Sequence, residues 1–162
     1  MLRITPSRLA AQHFLDGMRA GQLEALAETA TEVIVPAGRR LISDGDYAGQ
    51  FWLIESGSVA LDVVMPGNGR VVVGRVGMGG LVGWSWLLPP YRWAFGAVCL
   101  TEVTAFQFDA VAVRALCAVD PALGAELARR LLPVVAGRLL ATRSRLLVSP
   151  GDAEIHPGSS EI

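Results

Sequence analysis

The sequence predicts an α+β fold, mainly β: an antiparallel β-roll or jelly roll flanked by short N-terminal helices and a long C-terminal helix. Two observations carry that expectation. Between Val33 and Phe108, short β-rich runs alternate with glycine turns at close, fairly even spacing, the pattern of an antiparallel sandwich or barrel. On both sides of that stretch the apolar spacing becomes helical. Length and composition agree, since 162 residues with 52% hydrophobic and 18% charged side chains make one domain with a real core.

The elements follow in order. From Leu9 to about Ala30 the chain reads as helical, with Leu23, Leu26 and Ala27 at helical spacing. Gly17 and Gly21 interrupt it, so two short helices are expected over 9–30. The β-roll spans 33–108. Its runs are Val33-Ile34-Val35, Leu41-Ile42, Phe51-Trp52-Leu53-Ile54, Val59 to Val64 and Val71-Val72-Val73. Each ends in turn residues such as Gly38, Asp44-Gly45-Asp46, Gly57 or Gly67-Asn68-Gly69. The runs either side of Gly67-Asn68-Gly69 form a hairpin. A last β segment runs from Ala94 through Phe108.

Helix then returns over 110–148. Asp109 is the expected N-cap of a short helix to about Cys117, and Asp120-Pro121 combines an N-cap with proline at the first helical position. Leu123, Leu127, Leu131, Val134, Val135, Leu139 and Leu146 repeat from there, giving a helix of about 40 Å. Pro133 lies inside it and removes one backbone hydrogen bond, which predicts a kink near Arg129 and Arg130. The domain is thus expected over 1–149, with 150–162 a disordered tail.

Charge and cysteine usage narrow the function classes. All 14 Lys or Arg residues are Arg, and the net charge of −1 gives no global basic field for nucleic acid or an anionic membrane. Met1 to Pro6 lacks a signal peptide's apolar run, and the apolar runs are too short to span a membrane. Cys99 and Cys117 read as buried free thiols, which points to a reducing, cytoplasmic setting. His13 and His156 lie outside the β-roll, so no histidine–carboxylate metal cluster is expected inside it. Asp44 and Asp46 flank a turn glycine and read as turn chemistry. The chain is not expected to be an enzyme, and no metal or cofactor is implied.

Three phrases carry a family resemblance. They are Pro36-Ala37-Gly38…Leu41-Ile42…Gly45-Asp46, then Phe51-Trp52-Leu53-Ile54-Glu55-Ser56-Gly57-Ser58-Val59, then Gly83-Trp84-Ser85-Trp86-Leu87-Leu88-Pro89-Pro90-Tyr91-Arg92. With the element order, they resemble the cyclic-nucleotide-binding domain of the catabolite activator protein superfamily, from about Phe14 to about Leu147. The first two phrases are framework, their glycines sitting where tight turns need positive φ. The third corresponds to the family's phosphate-binding cassette. By that resemblance Gly83 lets the backbone approach an anion, while Trp84, Ser85 and Trp86 supply amides at a helix start. Pro89-Pro90 stops that helix, and Arg92 grips the phosphate in a fork.

Two residues depart from the pattern. Trp84 stands where the family usually has a glutamate accepting from the ribose 2′-hydroxyl, and indole has a donor but no acceptor. Trp93 follows Arg92 where the family usually has a small or hydroxylated residue. Trp93, Thr142 and Arg143 are the positions for contact with a base, the last two because the family's long helix lies over it. For Trp86 and Trp93 an interior packing role is the favoured alternative, and Trp84 the better candidate for touching a ligand.

The resemblance implies a ligand-sensing regulatory module that binds a cyclic nucleotide (cAMP or cGMP), or a related anionic small molecule, and signals through its C-terminal helix to a protein partner. A homodimer through the helix over 121–148 is expected. DNA binding is not, since only about a dozen residues follow that helix. The alternative from another class is a degenerate, nucleotide-free domain acting as a dimerisation or scaffold module.

Overall fold

Local signals set most element boundaries in the computed structural model, which describes residues 4–147; the stretch 150–162 lies outside the described residues. The hydroxyl of Thr5 accepts from the Arg8 amide, Pro6 occupies the first helical position, and helix α1 runs Pro6–Ala10. A 3₁₀ turn at His13–Leu15 follows, then α2 (Ala20–Glu28). Gly17 takes a φ of 74° between them. The first strand begins three residues before Val33, because the opposing strand reaches Phe108 and pairs with Ala30.

Among the described residues, eight strands form two four-stranded antiparallel sheets. They are β1 (Ala30–Val35), β2 (Arg40–Ile42), β3 (Gln50–Ser56), β4 (Val59–Met65), β5 (Gly69–Val76), β6 (Leu81–Val82), β7 (Gly96–Cys99) and β8 (Val103–Asp109). One sheet has the order β1-β8-β3-β6 and the other β2-β7-β4-β5. β4 and β5 form the expected hairpin, paired from Val59 opposite Val76 to Met65 opposite Gly69, with a one-residue register shift between Leu61 and Asp62. The segment read as one run from Ala94 to Phe108 is two strands in different sheets. The crossing at Leu100 to Glu102 is tied down by Thr101, whose hydroxyl accepts from the Ser58 amide and donates to the Glu102 carbonyl.

The core between the sheets is aromatic and aliphatic. Phe51 stacks on Trp86 at 4.3 Å and on Phe108 at 4.7 Å, with Leu53, Ile54, Val59 and Phe106 buried around them. Outside the second sheet, Asp62 is buried beneath Arg40 and Arg70, at 2.8 and 2.9 Å. Gly96 leaves room for this group, since a Cβ there would collide with Asp62 and Arg40. Burial works to raise the Asp62 carboxyl, but the hydrogen bonds and charges of Arg40 and Arg70 win and hold it below its usual range.

The C-terminal helices close the roll. The Asp109 carboxylate accepts from the Val111 and Ala112 amides, starting α3 (Ala110–Val119). The Asp120 carboxylate accepts from the Ala122 and Leu123 amides at the start of α4 (Pro121–Leu147). The first half of α4 buries Leu123, Leu127 and Leu131, and Arg130 donates to the Phe14 carbonyl. The helix continues through Pro133, and its second half crosses the mouth of the second sheet. No helix of the described residues is long and apolar enough to cross a membrane.

Candidate functional site

The cassette folds as a tight loop packed against the core. Gly83 adopts a φ of 94°, a 3₁₀ turn spans Ser85–Leu87, and Tyr91 takes a left-handed φ of 55°. Arg114 of α3 anchors this loop from outside: it donates to the Trp86 carbonyl at 2.7 Å and to the Tyr47 hydroxyl at 2.6 Å. Its guanidinium lies 4.2 Å from the centre of the Tyr91 ring.

The close approach that Gly83 permits is taken by an indole. A Cβ on Gly83 would lie 2.6 Å from Cη2 of Trp93, whose ring is buried and tilted against Trp52 and Phe95. Ser85 is buried as well, and its hydroxyl has no hydrogen-bond partner among the described residues. Arg92 faces the other way. Its backbone bridges to Tyr47, its side chain is exposed, and its guanidinium donates to the Gly45 carbonyl at 2.9 Å. The left-handed turn at Tyr91 and that bridge set its direction.

A cavity of about 510 Å³ lies beside the cassette, between the β4–β5 hairpin and the second half of α4. Its wall is apolar, built by Leu61, Val63, Val73, Phe95 and Val135. Of the residues expected to touch a ligand, Trp84 and Thr142 line it. Gly83, Ser85, Arg92, Trp93 and Arg143 do not, Arg143 being exposed on the helix. Among the described residues three arginines line it too, Arg75, Arg138 and Arg145, and no acidic side chain does.

Arg138 is the residue that sequence reasoning missed. One of its guanidinium nitrogens (Nη2) donates to the Leu81 carbonyl, and the other (Nη1) is buried without a partner among the described residues. Its guanidinium carbon sits 5.8 Å from the centre of the Phe95 ring. Burial, with no carboxylate to offset it, pulls this arginine down to about 10. Trp84 tilts against the same Phe95 ring at 6.0 Å, and its indole N–H is likewise buried and unpartnered among the described residues. Helical spacing holds the available signal: Val135, Arg138, Thr142 and Arg145 fall on one face of α4. Which face meets the cavity depends on how the helix crosses the sheet.

Other features of the molecule are less suggestive. No group of His, Cys, Asp and Glu able to hold a metal exists among the described residues. Cys99 and Cys117 are both free, and burial pushes both thiols up, toward low reactivity.

Comparison with known proteins gives a consistent picture. Residues 32–120 match the family described as the cyclic nucleotide-binding domain. A candidate cyclic nucleotide-binding protein from Geobacter metallireducens superposes with a TM-score of 0.76 at 25% identity, covering 84% of this chain and 98% of that one. A cyclic nucleotide-binding domain from Methylobacillus flagellatus gives 0.71 at 21% identity over 81% and 74% of the two chains. The catabolite activator protein of Thermus thermophilus gives 0.65 at 21% identity, over 83% of this chain and 62% of that one. No curated protein matches by sequence.

Proposed function

The chain belongs to the cyclic nucleotide-binding domain family, and on that premise we propose that it is a ligand-sensing regulatory module whose cavity takes a small anionic molecule. One observation carries this reading: Arg138, whose buried Nη1 has no hydrogen-bond partner among the described residues, lines an apolar cavity with two further arginines and, among the described residues, no carboxylate. A buried cation without a counter-charge is costly, and an anionic ligand supplies the missing acceptor. A cyclic nucleotide is the ligand the family implies. The domain binds and does not convert its ligand, and it works in the cytoplasm, consistent with its free thiols.

Transmission runs along α4. The same helix contributes Arg138 and Thr142 to the cavity and leaves Leu132, Leu140 and Leu147 exposed at two-turn spacing. A second copy of the chain covers this stripe in a helix-to-helix dimer, and ligand binding shifts the helix, hence the signal to a protein partner. A second reading, a nucleotide-free dimerisation or scaffold module, is favoured by Trp93 lying over Gly83.

Thermal shift against a panel of small anions, cAMP and cGMP included, tests the sensor reading. At least one anion raises the melting temperature of the wild type and has no effect on Arg138→Met. A panel without effect on the wild type favours the scaffold.

A further inference from the structure

The anion seat at Arg138 and the family's cassette are different places in this fold, and their chemistry differs. Around Gly83 the space on its side-chain side is filled: the Trp93 ring lies 2.6 Å from where a Cβ would stand, and Arg92 is turned outward onto Gly45. A cyclic phosphate has no guanidinium to meet there. The cavity, by contrast, is lined by two side chains packed on Phe95 whose donors, the Arg138 Nη1 and the Trp84 indole N–H, are buried without partners among the described residues.

The polar inventory decides which molecules fit. A ribose hydroxyl and the exocyclic amine of adenine or guanine are donors, and each needs an acceptor when buried. Among the described residues that line the cavity, only the Thr142 side chain carries an accepting hydroxyl; the others are arginines, an indole N–H and apolar groups. A nucleoside would therefore find one side-chain acceptor for its several donors. A compact anionic head needs the reverse, donors without competing acceptors. The rest of the wall is apolar, and about 510 Å³ suits a body of one or two rings or a short branched chain.

Resting on the reading that this cavity takes an anion, we propose that its ligand is an amphipathic organic acid: a carboxylate held by Arg138 and the Trp84 indole N–H, carried on a flat or branched apolar body against Phe95 and the β4–β5 wall. The domain keeps the family's roll and signalling helix and has exchanged the nucleotide for a carboxylic acid.

Isothermal titration of the full chain with benzoate, 2-naphthoate and octanoate tests this, with 2-naphthamide as the neutral counterpart and cAMP and cGMP in parallel. At least one carboxylate binds the wild type, and 2-naphthamide and both nucleotides give no heat under the same conditions. Arg138→Met, its fold checked by circular dichroism, weakens the carboxylate about ten- to a hundredfold, the worth of a charge-assisted hydrogen bond. Arg138→Lys recovers part of the loss, Trp84→Phe loses a few fold, and Arg92→Ala binds as the wild type does. Binding of cAMP or cGMP that Arg138→Met abolishes would overturn the organic-acid assignment while leaving the anion cavity standing. Carboxylate binding indifferent to Arg138→Met overturns it as well. If neither nucleotides nor carboxylates bind, both readings fall.

Discussion

Replacing Arg138 by methionine separates a ligand-binding group from a structural one, because the two roles predict opposite signs for stability. Methionine keeps a long apolar stem and removes the charge and the unpartnered donor. The structure sets the size of the effect. Burial draws the guanidinium from its usual range down to about 10, and at about 1.4 kcal/mol per pH unit, holding it charged there costs about 3 kcal/mol. The variant loses the hydrogen bond to the Leu81 carbonyl, which takes back about 1.5–3 kcal/mol. The balance is a gain of about 1 kcal/mol, or a melting temperature higher by about 2–4 °C for a domain of this size. Differential scanning calorimetry at neutral pH, in a buffer free of organic acids and phosphate, reads it directly. Arg8→Met is the control. Arg8 bridges Glu32 at 2.8 Å and Glu55 at 3.1 Å with its guanidinium over the Phe106 ring, so its loss leaves two carboxylates facing each other. That variant melts lower, by about 1 kcal/mol or more. Should Arg138→Met melt as far below the wild type as Arg8→Met does, Arg138 is a pin that fixes α4 to the roll, and the argument for an anion fails.

Other outcomes follow from the same geometry. Gly83→Ala loses about 2–4 kcal/mol in urea denaturation, since it forces a side chain into a φ of 94° and against the Trp93 ring. Asp62→Asn costs about 2 kcal/mol at neutral pH by leaving Arg40 and Arg70 short of a charge. The Asp62 carboxyl lies below its unfolded value when folded, so its contribution is complete above about pH 5 and fades as pH falls through the folded value. The wild type and Asp62→Asn therefore converge in stability on acidification, and a constant gap would contradict the linkage. Leu140→Glu breaks the exposed stripe on α4 and turns a dimer into a monomer in sedimentation velocity at tens of micromolar; a wild type that already sediments as a monomer refutes the dimer.

Much of the fold was legible in the sequence because it rests on local chemistry. Asp109 and Asp120-Pro121 announce α3 and α4 by satisfying the free amides at helix starts, and the Gly67-Asn68-Gly69 turn sets the β4–β5 register as far as Asp62. The glycine-punctuated runs imply antiparallel sheets because each strand is short and each turn tight. Where local signals were weak the boundaries moved: β1 starts at Ala30 because its partner β8 extends that far, and the last β run divides because its halves pair in different sheets.

The site shows the limit more sharply. The sequence determined that a cassette-like phrase runs from Gly83 to Arg92, that Trp84 cannot replace an acceptor, and that the helix begun at Asp120-Pro121 contains several arginines. It could not determine the side on which Arg92 emerges, because a left-handed turn at Tyr91 and a bridge to Tyr47 set that direction. Nor could it choose among the arginines of α4. Helical spacing places Arg138, Thr142 and Arg145 on one face, but only the crossing of α4 over the β4–β5 hairpin turns that face inward and buries a guanidinium nitrogen with no partner among the described residues. Backbone preferences act over a few residues and can be read in one dimension. The charge balance of a cavity depends on residues 61 to 145 meeting in space, and tertiary packing alone decides it.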